Sequence, residues 1–349
     1  MARVAAATAA VLVAVGCAQQ QQPAPAPPRA AQTRCGDPSH PYVCASGSGL
    51  VYHGRPLSLA GAALYPSVAI GGRTLRGRAW SSGAPELRAY IDHWLGLARD
   101  AELNTIRPTD FLAGVRDWRD ATTWRNLDYL VSAARARGLL VILDLSAYRN
   151  FLRSSGRFAY DPAAWQPFVD FVAARYAGAP NIAYYAVAGE IEAPGGHDPG
   201  RATADQYVAF YRAVLPRLHA ADGGRHLVST GGLNHLEAGG GIPWQALFDL
   251  PGMDVAALHL YSESDRQAVA PAVAAWTGQR RKPLAVEEFG FQQSLGDAER
   301  AAAFRDVYAL ARRLDAAGTV FWNLGPELAP NSYDVSPATP ATWSAVASR

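Results

Sequence analysis

The chain has 349 residues, 49% hydrophobic and 18% charged, with 32 basic against 30 acidic side chains and a formal net charge of +2. Its arginines are scattered and Lys282 is its single lysine, so no basic stripe offers itself to nucleic acid. There is no CxxC pair, HExxH, GxSxG or Walker loop, and the eight histidines do not fall at metal-ligand spacing, so neither a metal nor another cofactor is expected.

The N-terminus, MARVAAATAAVLVAVGCAQQ, has one Arg, then about a dozen small apolar residues, then Cys17. That pattern is an export signal, too short for a mature membrane span. Ala14-Val15-Gly16 before Cys17 resemble the lipobox of bacterial lipoproteins, although position 14 is usually Leu. The resemblance implies a signal over residues 1–17 and a lipid on Cys17 that anchors the protein to the outer face of the cell membrane; ordinary secretion is the alternative. Residues 18–34 contain QQQQPAPAPPRAAQ, which cannot bury a core and reads as an extended tether. The globular body is expected over residues 35–349. Cys35 and Cys44, with eight residues between them, are expected to close a small loop in an oxidising compartment.

Within the body, short apolar runs recur at residues 57–64, 104–108, 139–146, 182–190, 226–232, 254–262, 283–290 and 319–325. Most intervals hold an amphipathic helix. In DPAAWQPFVDFVAARYAG, Asp161 can cap, Pro162 suits the first turn, and Trp165, Phe168, Val169, Val172 and Tyr176 share one face. Eight strands alternating with helices predict a single (β/α)8 TIM barrel of α/β class. An open doubly wound sheet is the runner-up, but no Gly-rich phosphate turn follows the first strand.

In such a barrel the chemistry lies at the C-terminal ends of the strands. The polar residues there are Arg107, Ser146, Glu190, His259, Tyr261, Glu288, Trp322 and Asn323. Glu190 and Glu288, on the fourth and seventh runs, would face each other across a cleft, as retaining glycoside hydrolysis requires. The segments RYAGAPNIAYYAVAGEIEAP and KPLAVEEFG carry a resemblance to clan-A glycoside hydrolases, most of all the family 5 cellulases and β-mannanases, across residues 50–330. The resemblance implies that Glu190 is the general acid/base and Glu288 the nucleophile. It also implies that Arg107 steadies the nucleophile, that His259 and Tyr261 line the reaction subsite, that Trp322 is the platform beneath the sugar, and that Tyr65 ends the first strand at the substrate.

Three details of the pattern stand apart. Strict alternation puts Leu284, Val286 and Glu288 on one face of the seventh run and Ala285, Glu287 and Phe289 on the other. Glu192 is the reserve for Glu190. Where the family has Asn before the acid/base and His at the end of the third strand, this chain has Gly189 and Ser146. An altered sugar specificity, a side chain such as Asn234 or His235 reaching in from the strand-five loop, and weak or lost catalysis all fit the glycine; two departures in one subsite, with both carboxylates kept, favour altered specificity over decay. The charge on Glu288 is expected to raise the pKa of Glu190, keeping the acid protonated. The reading is a monomeric retaining β-glycoside hydrolase acting on a polysaccharide or oligosaccharide, β-mannan or β-glucan by resemblance. The alternatives are a transglycosylase with the same carboxylates and a non-catalytic carbohydrate-binding lipoprotein.

Overall fold

The computed structural model describes residues 35–191, 201–234, 236 and 241–349. The signal, Cys17, the tether, Glu192 and His235 lie outside the described residues. Each apolar run becomes one strand: β1 (Leu59–Leu64), β2 (Thr105–Pro108), β3 (Leu140–Asp144), β4 (Ile182–Ala186), β5 (Leu227–Ser229), β6 (Ala256–Leu260), β7 (Leu284–Phe289) and β8 (Gly318–Phe321). All pair in parallel, in the order β5-β4-β3-β2-β1-β8-β7-β6. Bridges Ser229 to Val255 and Leu233 to Leu258 join β5 to β6 and close the barrel. The predicted (β/α)8 architecture is therefore the observed one.

The helices cover the outside because their apolar stripes match the outward residues of the strands. The segment Pro162–Tyr176 is helical; the Asp161 side chain accepts from the Ala163 amide, and Trp165, Phe168, Val169, Val172 and Tyr176 are all buried. Inside the barrel a smaller core contains Leu59, Leu140, Ile142, Tyr184, Val255, Ala285 and Val320. Among the described residues, no helix is long and apolar enough to cross a membrane.

The N-terminal extension closes one end of this core. Cys44–Ser46, Gly49–Tyr52 and Arg55–Leu57 form an antiparallel sheet. Val43 and Leu50 from this extension are buried against the barrel interior. A disulfide joins Cys35 to Cys44, with Cα atoms 5.9 Å apart, at the end opposite the C-terminal mouth. Digestion of exported protein without reductant should yield one peptide pair joined through Cys35 and Cys44. Free thiols at both positions would contradict the pairing.

Candidate active site

Glu288 reaches the barrel mouth through an irregularity in β7. Leu284 and Val286 pack in the strand–helix core, whereas Ala285 packs inside the barrel. Simple alternation would then turn Glu288 out among the helices. The pairing with β6 instead slips, with Leu258 opposite Val286 and His259 opposite Glu288, leaving Glu287 as the extra residue of a bulge. Beyond it Phe289 packs outward against Phe304. Glu287 and Glu288 consequently both enter the barrel, at successive depths, and the opposed faces expected from alternation are not found.

Arg107, at the end of β2, holds Glu288. Its Nη1 lies 2.5 Å from Glu288 Oε2 and its Nη2 2.8 Å from Asp144 Oδ2. Burial works against the guanidinium charge, but Asp144 and Glu288 more than offset it and raise its pKa. The Tyr261 hydroxyl donates to Glu288 Oε1 at 2.5 Å. Burial and the charge of Glu288 push that phenol up, so it remains a donor. Ser146 lines the cleft, but its amide and hydroxyl both donate to Asp144 Oδ1, at 3.0 and 2.5 Å. Its proton is therefore committed to Asp144 rather than to a ligand.

Glu190 stands opposite, with left-handed backbone (φ 53°) and a side chain 41% exposed. The glycine before it is explained by a backbone contact. After Ser229 the chain leaves the barrel ladder through Gly231 (φ 94°) and Gly232 (φ 74°) and rejoins it at Leu233. On this excursion the Gly231 carbonyl oxygen lies 1.7 Å from where a Cβ on Gly189 would sit. A Cβ on Gly232 would fall 2.0 Å from His259 Nε2. The Glu190 amide donates to the Gly232 carbonyl at 2.8 Å, locking the two loops together. The same excursion delivers Asn234, whose Nδ2 donates to Glu190 Oε1 at 3.3 Å. An asparagine amide thus reaches the Glu190 carboxylate from the neighbouring loop.

His259, on β6, stands between the two carboxylates. Its Nδ1 is 3.0 Å from Glu190 Oε1 and 3.8 Å from Glu288 Oε2. Burial works to lower the His259 pKa, but the charge of Glu288 and the contact with Glu190 raise it. Burial likewise works to raise the Glu190 pKa, but the hydrogen bond and charge of His259, with Arg149 and Arg107, bring it down to about 2. The expected upward shift of Glu190 is therefore corrected: the pair's proton resides on the imidazole. Among the described residues His259 Nε2 is buried without a partner, so the ring meets the two carboxylates through Nδ1.

These groups open into a cavity of about 450 Å³, lined also by Asp110, Arg149, Asn150, Asn234, Trp322 and Tyr333. Trp322 thus lines the cleft. Tyr65 is not in the lining; it tilts against Trp322 with ring centroids 5.7 Å apart. A second cavity of about 320 Å³, at the opposite end of the barrel, is lined by Ser58, Glu102, Tyr308 and Arg349 and has no carboxylate pair. One oxygen from each glutamate and the His259 nitrogen lie within 4.8 Å of one another. Such a trio could ligate a cation, but Arg107 and Tyr261 already occupy both oxygens of Glu288, and the guanidinium would repel it. Sequence reasoning missed Asp144, Glu287, Arg149 and Asn150. Asp144 ends an apolar run as Ser146 does and was open to the same rule.

No family model matches this sequence, and no curated protein is detectably similar. Solved structures are. An endo-1,4-β-mannanase from Rhizomucor miehei superposes with a TM-score of 0.69 at 17% identity, covering 88% of this chain and 98% of its own. An endo-1,4-β-D-mannanase from Thermotoga petrophila RKU-1 gives 0.60 at 18% identity, over 83% and 99%. The catalytic domain of the major endoglucanase from Xanthomonas campestris pv. campestris gives 0.59 at 15%, over 88% and 100%. The chain shares the fold of these β-glycanases.

Two outcomes follow from the site. In Gly189→Asn the side chain would have to displace the Gly231 backbone, costing about 3 kcal/mol in denaturant midpoint experiments, with no gain in turnover; a gain would mean the glycine contact is dispensable. The second concerns pH. With the pair's proton on an imidazole of raised pKa, the alkaline limb of kcat/KM should lie above the ordinary imidazole value. In His259→Asn only Glu190 can hold that proton, so the limb should move to lower pH. An unmoved limb would show that the pair does not share it.

Proposed function

We propose that the protein is a retaining β-glycoside hydrolase. What carries this reading is the close approach of Glu190 and Glu288 in unlike environments. Retaining enzymes keep their carboxyl groups about 5 to 5.5 Å apart, and inverting ones leave room for a water at about 6.5 to 9.5 Å. The nearest oxygens here are within 4.8 Å. Glu288, fixed by Arg107 and Tyr261, attacks the anomeric carbon and forms the glycosyl-enzyme. Glu190 receives the proton from His259, passes it to the leaving oxygen, and then accepts one from water. Asn234 steadies the Glu190 carboxylate, and Trp322 supplies an apolar face for the sugar ring.

The substrate class is a β-linked glycan, with β-1,4-mannan and β-glucan first, since the structural neighbours include mannanases and an endoglucanase. Export as a lipoprotein is supported by the lipobox-like Ala14-Val15-Gly16 before Cys17 and by the Cys35–Cys44 disulfide, which suits an oxidising compartment. Mass spectrometry of the mature N-terminus should find diacylglycerol on Cys17; a soluble product starting elsewhere would refute the anchor.

The hydrolase reading is tested on a panel of β-mannan and β-glucan oligosaccharides. Proton NMR of the first product should show the anomeric configuration of the substrate. Glu288→Gln should reduce hydrolysis to background and Glu190→Gln should lower kcat roughly 10²- to 10⁴-fold. An inverted product, or binding without hydrolysis by wild-type protein, would overturn the reading.

A further inference from the structure

Arg149 has a charge that the hydrolytic chemistry does not require. The helix Ser146–Ser154 after β3 carries it to the cleft wall together with Asn150. Its Nε and Nη2 both donate to Asn150 Oδ1, at 3.1 and 2.9 Å. Asn150 Nδ2 in turn donates to Asp110 Oδ1 at 2.7 Å, and Asp110 sits in a left-handed turn after β2. One edge of the guanidinium is therefore fixed by a neutral amide. Its Nη1 is buried with no acceptor among the described residues. The contrast with other arginines is plain: Arg107, Arg137, Arg175, Arg217 and Arg280 each lie against a carboxylate.

A buried cationic N–H without an acceptor is destabilising, and a turn of the side chain that brings it to a ligand oxyanion in the cavity it lines would reverse the penalty. A planar guanidinium with one edge held and an N–H without an acceptor among the described residues fits a carboxylate or sulfate better than a sugar hydroxyl. We infer that Arg149, oriented by Asn150 and Asp110, recognises an oxyanion on a sugar next to the scissile bond, so that the cleft takes acidic β-glycans bearing a uronic acid or a sulfate ester. The specificity rests on the hydrolase reading above; the anion recognition does not. The charge of Arg149 is also among those holding the Glu190 carboxyl low. A bound anion would offset that influence and favour protonation of the acid when the correct substrate is present.

The test uses three matched β-1,4-linked oligosaccharides: one with a glucuronosyl unit, the same after reduction of its carboxyl, and the neutral compound sulfated at O6. The wild-type protein should prefer at least one acidic form over the neutral by roughly tenfold or more in kcat/KM, and the two acidic arms show which oxyanion is read. Arg149→Gln should bring the ratio close to one and Arg149→Lys should keep part of it. Because the ratio is taken within each variant, loss of folded protein does not move it. A ratio of one in the wild type, or one that survives in Arg149→Gln while only the pH profile shifts, overturns the inference. If none of the three is hydrolysed, the hydrolase reading fails, and calorimetric binding of the same compounds still decides. A preference for an acidic form that disappears in Arg149→Gln upholds the anion site. Equal binding of all three, or none, removes it.

Discussion

The guanidinium of Arg107 is the constraint on which the cleft depends. It is 3% exposed and lies between Asp144 on β3 and Glu288 on β7, so three strands converge on one buried cation. A buried charge is tolerated only when paired and hydrogen-bonded, and removing one partner of such a pair costs about 3 to 5 kcal/mol. The group that would act as nucleophile is therefore also a structural counter-ion. Tyr261 fixes its other oxygen, which leaves Glu288 a single orientation toward the cavity. The Ser146 hydroxyl donates to Asp144, so the serine at the end of the third apolar run serves this charge cluster.

Below it Glu287 shows what happens to a carboxyl without such a partner. Burial lifts its pKa to about 7, against the pull of Arg107 and His259. Its Oε1 has a 3.5 Å contact with the Ser229 hydroxyl, and the Tyr184 side chain beside it also works to lower its pKa without offsetting the burial. Two adjacent glutamates on one strand thus differ because one meets the guanidinium directly and the other lies in the closed interior. The bulge in β7 creates this difference by admitting both to the barrel at different depths.

Much of this was legible in the residues. The eight apolar runs mark the eight strands because a strand buried on both faces must be nearly continuous in hydrophobic residues. The helix Pro162–Tyr176 announces its cap, first turn and buried face by spacing alone. Arg107, Glu190, His259, Tyr261, Glu288 and Trp322 were legible as strand-end polar or aromatic groups; five of them line one cleft, and His259 lies buried against Glu190. What stayed hidden depends on contacts between distant segments. Alternation cannot reveal the slip at Glu287, since a bulge is a property of the pairing with β6. The contact that requires Gly189 lies 42 residues away, at Gly231, and the HLVSTGG run shows only that a turn is present. Arg149 was missed because it lies on a helix after a strand, outside the strand-end rule that found the others.

The contact between Gly189 and Gly231 also changes what the glycine means. Read as a missing side chain, Gly189 suggests a lost hydrogen bond to the sugar. Seen with its neighbour, it is the condition for bringing the β5 loop against the β4 loop, and that approach sets Asn234 on Glu190 and packs Gly232 beneath His259. An amide donor and an imidazole are obtained for Glu190 by giving up one side chain. Glu288 is held rigidly from below by Arg107. Glu190 is half open and leans on neighbours that can exchange a proton with it or release it. A double displacement asks for this asymmetry: one carboxylate must stay fixed to attack, and the other must change its protonation and its contacts twice in each turnover.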